Sequence, residues 1–147
     1  MSFQPFVSGT GLSGWSLLMT TLTTQKSAFN RNSAIQTDTR YFAERFYSIE
    51  RAEDITEDRR LLRIVLGAYG LTDDIDNRFF IRKVMEEGTL SSSALANKLS
   101  DRRYRTLASD FDFSTMPPKH LVQTGLVQKT IEAFRTQAFE QKIGERD

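Results

Sequence analysis

The stretch Leu61-Leu62-Arg63-Ile64-Val65-Leu66-Gly67-Ala68-Tyr69-Gly70 places Leu61, Leu62, Val65, Leu66 and Tyr69 at helical spacing. A glycine follows where a left-handed C-terminal residue is wanted. Upstream, Asp54 and Glu57 stand at capping-box spacing, because an Asp oxygen can accept from the N3 amide while the Glu carboxylate reaches back to the cap amide. Together these features predict a helix over residues 56–69.

The same period runs outward in both directions. Downstream, Asp73 and Asp76 put acid into the first turn of a second helix, Phe79, Phe80, Ile81, Val84 and Met85 fill its buried side, and Gly88 stops it. Ser91 to Ser93 are read as the cap of a short helix through Leu99. Asp101 opens another, with Tyr104, Leu107, Phe111 and Phe113 apolar. Pro117 and Pro118 break the chain, and a long helix is predicted over 121–143 with Val127, Ile131, Phe134 and Ala138 as its stripe. Upstream, Ile35, Phe42, Phe46 and Ile49 form an amphipathic stripe flanked by Tyr41 and Tyr47. Before it, Ser13 can cap a helix carrying Trp15, Leu18, Leu22 and Phe29.

No segment shows sustained strand alternation, so the fold class is all-α, a bundle of about six or seven helices. Residues 1–14, broken by Pro5, Gly9, Gly11 and Gly14, read as a flexible lead-in, 15–143 as one helical domain and 144–147 as a tail. Asp58-Arg59-Arg60 leads to Tyr69-Gly70-Leu71 as Asp101-Arg102-Arg103 leads to Phe111-Asp112-Phe113. This echo raises two similar helical units as an option; reuse of helix-start chemistry explains it as well.

Composition narrows the function classes. The 147 residues carry 20 Lys+Arg against 19 Asp+Glu, a formal charge of +1, and no Cys. Such a balance argues against a nucleic-acid binder, whose duplex-binding face must be left basic. Arginine outnumbers lysine, yet Arg59-Arg60 and Arg102-Arg103-x-Arg105 are interleaved with Glu53, Asp54, Glu57, Asp58 and Asp101, which can pair with them locally. No window approaches the ~20 apolar residues that span a bilayer, so membrane insertion is not expected. The first basic residue is Lys26, so a secretory n-region is missing and a cytoplasmic location is the default.

Several motifs touch on chemistry. Gly9-Thr10-Gly11-Leu12-Ser13-Gly14 matches G-x-G-x-x-G, with Asp38 near the place of a ribose-binding acid. The strand it requires would hold Pro5 at the extreme terminus, and a lead-in is the better reading. Asp74 and Asp76 resemble half a calcium loop, but Arg78 and Phe79 occupy the fifth-ligand and glycine positions. His120, the one histidine, excludes Cys/His metal sites and has no marked nucleophile; it is read as an exposed or helix-starting residue. Glu86 and Glu87 are adjacent and point apart on a helix. The residues imply no catalytic, cofactor or metal site.

Leu66-Gly67-Ala68-Tyr69-Gly70-Leu71, followed by Asp74-Ile75-Asp76-Asn77-Arg78-Phe79-Phe80-Ile81-Arg82-Lys83-Val84, resembles the signature of a bacterial domain-of-unknown-function family commonly encoded among flagellar genes of alphaproteobacteria. Gly14-Trp15, Ala94 to Leu99 with Arg103-Tyr104, and Gln137-Ala138-Phe139-Glu140 are similar in kind and order. Members of that family tend to be longer, which implies that this chain is an N-terminal portion. The resemblance implies a flagellum-related role with protein partners and carries over no catalytic or ligand residue. The expected function is a non-enzymatic interaction domain in flagellar assembly or its regulation, with an exported flagellar component as the alternative. An enzyme ranks below both. Binding is expected through an exposed apolar stripe on a terminal helix, Trp15, Leu18 and Leu22 or Val127, Ile131 and Phe134, with homodimerisation as a consequence.

Overall fold

A computed structural model describes residues 25 and 33–144. The chain divides into two compact units, residues 1–37 and 38–147. Eight α-helices occur among the described residues and no strand: α1 (Ser33–Arg45), α2 (Ala52–Thr56), α3 (Arg59–Ala68), α4 (Arg78–Glu87), α5 (Leu95–Lys98), α6 (Arg102–Asp110), α7 (Lys119–Val122) and α8 (Leu126–Gly144). Short 3-10 turns at Phe46–Ser48 and Thr72–Asp74 join them. The fold is all-α, as the periodicity predicts. The expected helix at Trp15 to Phe29 and the lead-in fall almost entirely outside the described residues.

The second unit is built around α3. Leu61, Leu62, Ile64, Val65, Leu66 and Ala68 are all buried, so apolar side chains cover most of the helix circumference and only Arg59 and Arg63 reach well into solvent. A helix apolar on most sides must be surrounded. Its most extensive neighbour is α8, and α2 and the Thr72–Asp74 turn also contact it. The α3–α8 approach is close at Gly67, where a Cβ would lie 3.1 Å from Cδ1 of Phe134. Thus Ile131 and Phe134 are buried against the core. A smaller cluster of Val84, Ala96 and Ala108, with Phe80, Leu95, Leu99 and Tyr104 against it, joins α4, α5 and α6.

The helix ends differ instructively from the expected ones. Asp54 is not an N-cap: it sits in the first turn of α2, and its carboxylate accepts the Glu50 and Arg51 amides at 2.9 and 3.0 Å. The cap of α3 is Asp58, which accepts the Arg60 and Leu61 amides at 3.1 Å each. The expected single helix over 56–69 is therefore α2 and α3, separated at Glu57-Asp58. At the other end Leu71 N–H donates to Leu66 O and Gly70 N–H to Gly67 O, with Gly70 at φ +71°. This is the Schellman arrangement that the glycine predicts.

α4 begins at Arg78, after a 3-10 turn that holds Asp73 and Asp74. Phe79 lies on its outer side, 61% exposed, against the expectation of burial. The buried face is set by Ile81, Val84 and Met85. Ser91 and Ser93 bond each other, so they do not cap α5. Its Leu95 amide donates instead to Glu87 Oε1 of α4 at 2.8 Å. Asp101 does cap α6, accepting the Arg103 amide at 3.0 Å. Phe111 and Phe113 follow α6 rather than lie in it. The expected long C-terminal helix is interrupted at residues 123–125, where Gly125 has φ +82°, leaving the four-residue α7 before α8. Asp58 and Asp101 start α3 and α6 in the same way, but α6 ends without a left-handed residue: Phe111 has φ −108°.

Gly88 ends α4 at φ +64°, and a Cβ there would overlap the Asp112 carboxylate. The peptide strap after α6 is bonded to this corner, with Phe113 N–H donating to Met85 O at 3.0 Å. Alanine at Gly88 therefore incurs both left-handed strain and displacement of Asp112. At Gly70 and Gly125 only the strain applies, since no atom lies closer than 3.5 Å to the new Cβ. Urea unfolding should rank Gly88→Ala as the most destabilising, above about 2 kcal/mol, with the other two near 1 kcal/mol. A Gly88→Ala variant as stable as Gly125→Ala would contradict this packing.

Candidate functional site

His120 is fully buried, so the expectation of an exposed residue is wrong, although it does lie at the start of α7. Its Nε2 is 2.7 Å from the main-chain oxygen of Ile49. The ring stacks near Phe111 (centroids 5.8 Å, 24°), meets Phe46 edge-on at 5.2 Å, and lies 5.1 Å from Phe113. Burial pushes its pKa below the ordinary imidazole value, opposed by the bond to Ile49. A carbonyl can only accept, so Nε2 carries a hydrogen, and burial favours the neutral ring, in which Nδ1 has none. That proton is committed to the main chain, and the ring faces are covered by phenyl groups.

The burial of His120 depends on partners distant in the chain. Phe46 and Ile49 lie some seventy positions upstream. The available signal was local, a single histidine closely following Phe111-x-Phe113 and two prolines. An aromatic row, Phe42 to Phe46 to Phe111 to Tyr69, continues from this box with edge-on centroid distances of 5.6, 6.3 and 6.2 Å. It joins the end of α1 to α3.

The polar side chains at buried places hold elements together. Tyr69 donates to Asp110 Oδ2 at 2.7 Å, and Lys129 Nζ donates to the same oxygen at 3.0 Å. Burial and the Asp110 bond push the Tyr69 pKa far up, keeping the phenol as donor. Asp38, once a candidate for ribose, is buried and takes Arg60 and Arg63 at 3.1 and 3.0 Å. Tyr41 donates to Asp58 at 2.7 Å, while the guanidiniums of Arg45 and Arg60 lie 3.6 and 4.4 Å from its ring centroid. Arg103 bonds Asp101 and the Gly70 carbonyl, tying the end of α3 to the start of α6.

The acids of the half calcium loop go separate ways. Asp74 accepts from Tyr104 at 2.5 Å and from Asn77 at 3.0 Å, and Asp76 pairs with Arg59 at 3.4 Å. The Asp74 bond, with burial second, pushes the Tyr104 pKa up to about 12. Among the described residues no group of three or more His, Cys, Asp or Glu could hold a metal ion. None of the described helices is long and apolar enough to cross a membrane. The Gly9–Gly14 motif lies outside the described residues.

What faces solvent is more distinctive. Phe79 protrudes from α4 with the guanidiniums of Arg78 and Arg82 each 5.2 Å from its ring centroid. Those arginines pair with Glu57 at 3.5 Å and Glu86 at 3.1 Å. Tyr47, Leu90, Met116 and Val122 are the other large exposed apolar residues among the described ones. The expected C-terminal stripe is not among them, because Ile131 and Phe134 face the core. The Trp15 stripe lies outside the described residues.

Residues 68–147 match the model of a family described as protein of unknown function (DUF1217). A crystal structure of an Agrobacterium tumefaciens protein from a structural genomics programme is similar in fold, with a TM-score of 0.78 at 29% identity. The alignment covers 98% of this chain and 64% of that one, so the chain spans less than two thirds of its neighbour's length. No match is found among curated proteins.

The Tyr69–Asp110–Lys129 contact joins α3, α6 and α8. Replacing Tyr69 by Phe removes a hydrogen bond to a buried carboxylate while keeping the ring, which should cost about 1.5 to 3 kcal/mol. A fall in the urea midpoint at unchanged slope checks it; a change below about 0.5 kcal/mol would contradict a structural role.

Proposed function

The chain belongs to the DUF1217 family, and from this premise and the disposition of its side chains we propose that it is a non-enzymatic interaction domain with a role in flagellar assembly or its regulation, working in the cytoplasm. The flagellar element rests on the resemblance of the segment from Leu66 to Val84. The interaction element rests above all on Phe79, an aromatic side chain kept in solvent between two arginines. Aromatic and arginine side chains supply most of the energy in protein interfaces, and an exposed phenyl ring gains from burial by a partner. The absence of an assigned catalytic role fits the commitments of the buried polar groups. His120 is bonded to Ile49, Asp110 to Tyr69 and Lys129, and Asp38 to two arginines.

Export to the flagellum is the second reading, favoured by the absence of charge over residues 1–25 and their wealth of Ser and Thr. Detection in purified flagella separates it from cytoplasmic retention. Homodimerisation through the same surface is a further outcome, read by sedimentation of the purified chain.

Tagged chain purified from a flagellated alphaproteobacterial host should bring down flagellar proteins. Phe79→Ser should reduce that recovery by roughly tenfold or more, the effect of losing about 1.4 kcal/mol or more at an interface anchor. Because Phe79 is exposed, the variant should keep its helical circular dichroism and melting temperature. Recovery of flagellar proteins unaltered by the substitution would reject Phe79 as the anchor; recovery of none would reject the flagellar role.

A further inference from the structure

His120 stands on a strap. Residues 111–118 leave α6, cross the end of α4 and lead into α7, whose four residues end before Gly125. The strap is fastened by few bonds: Phe113 N–H to Met85 O at 3.0 Å, Lys119 N–H to Asp112 O at 3.1 Å, Ser114 to the Asp112 carboxylate, and His120 to Ile49. Of these the His120 bond alone reaches the segment after α1. Gly125, at φ +82° with nothing within 4 Å of where a Cβ would lie, separates α7 from α8 in uncrowded surroundings.

His120 Nδ1 is buried without a hydrogen-bond partner among the described residues. With Nε2–H on a carbonyl, Nδ1 keeps its lone pair, and a second proton would create a buried N–H with no acceptor inside a box of phenyl rings. The charged groups on the surrounding elements are engaged elsewhere or exposed to solvent. Asp110 holds Tyr69 and Lys129, Asp112 holds Ser114, and Lys119 Nζ reaches Ser109 at 3.5 Å. Beyond Phe46 and Ile49, Arg45 lies over Tyr41, Arg51 pairs with Glu53 at 3.9 Å, and Glu50 is exposed.

We propose that His120 is an acid-sensitive latch whose neutral ring closes the 111–118 strap and α7 over Phe46, and whose protonation releases them. Release uncovers Phe46, Phe111 and Phe113. Met116 and Val122 already face solvent on the same strap and helix, so the opened state presents a larger apolar surface. The direction follows from the buried ring. Its folded pKa lies below the unfolded value near 6.5, so the latch contributes fully above that pH. The contribution is lost as pH falls from the unfolded pKa toward the folded one.

Because the chain has one histidine, its ring proton signal can be followed in the intact protein by NMR while a hydrophobic dye reports exposed apolar surface. Between about pH 7.5 and about pH 5 the ring should titrate below its ordinary value, and dye fluorescence should rise several-fold with the same midpoint. His120→Gln keeps an amide donor for Ile49 and cannot ionise, so it should abolish the rise over this range. The proposal is overturned by flat fluorescence, by an equal rise in H120Q, or by a ring that titrates at its ordinary value. Should H120Q fail to fold, the wild-type midpoints decide: fluorescence and ring titration that do not coincide also overturn it.

Discussion

The close passage of α8 over α3 at Gly67 is the constraint on which the second unit rests. With a hydrogen in place of a side chain, α3 admits the Phe134 ring to 3.1 Å from the position a Cβ would take. That contact brings α8, on which Leu126, Ile131 and Phe134 are buried, against the helix that carries the buried leucines, isoleucine and valine of α3. A Cβ at residue 67 would require the Phe134 ring to give by a few tenths of an ångström, on the helix whose Lys129 also reaches Asp110. Close packing leaves little slack for such a shift. The price of a glycine in a helix, about 0.5 to 1 kcal/mol against alanine at an interior position, is small beside the burial it permits in the last turn of α3.

Around this axis the polar residues act as ties between elements rather than as reactive groups. Asp58 caps α3 and holds Tyr41 of α1; Asp38 takes two arginines of α3; Arg103 joins the ends of α3 and α6; Glu87 caps α5 from α4. Each tie satisfies a backbone or buried polar group that would otherwise be costly to desolvate. Exposed pairs such as Arg78–Glu57 and Arg82–Glu86 add little stability by comparison. They hold two guanidiniums beside an exposed phenyl ring, which is why the proposed interaction rests on Phe79.

The legible part of the fold was the part governed by local chemistry. The α3 stripe, the Schellman end at Gly70, the stop at Gly88 and the Asp101 cap all depend on residues within a turn or two. What failed depended on distant partners or on competing local options. Asp54 and Asp58 both suit a helix start, and only the tertiary position of α2 assigns the cap to Asp58. Phe79 and Phe80 are adjacent, so one must point away from the face set by Ile81, Val84 and Met85. α5 takes its cap from Glu87, eight positions back. The place of His120 at a helix start is legible, but nothing beside it in the chain reveals that Phe46 and Ile49 close over it.

Native-state hydrogen exchange tests the central role of α3 most directly. If α3 is the axis and α8 is locked to it at Gly67, the amides of Leu62 to Leu66 exchange only by global unfolding. Those of α8 packed beside them, from Ile131 to Phe134, belong to the same cooperative unit. Exchange of the α3 amides through local opening, at a free energy below that of α8 or of global unfolding, would contradict the account.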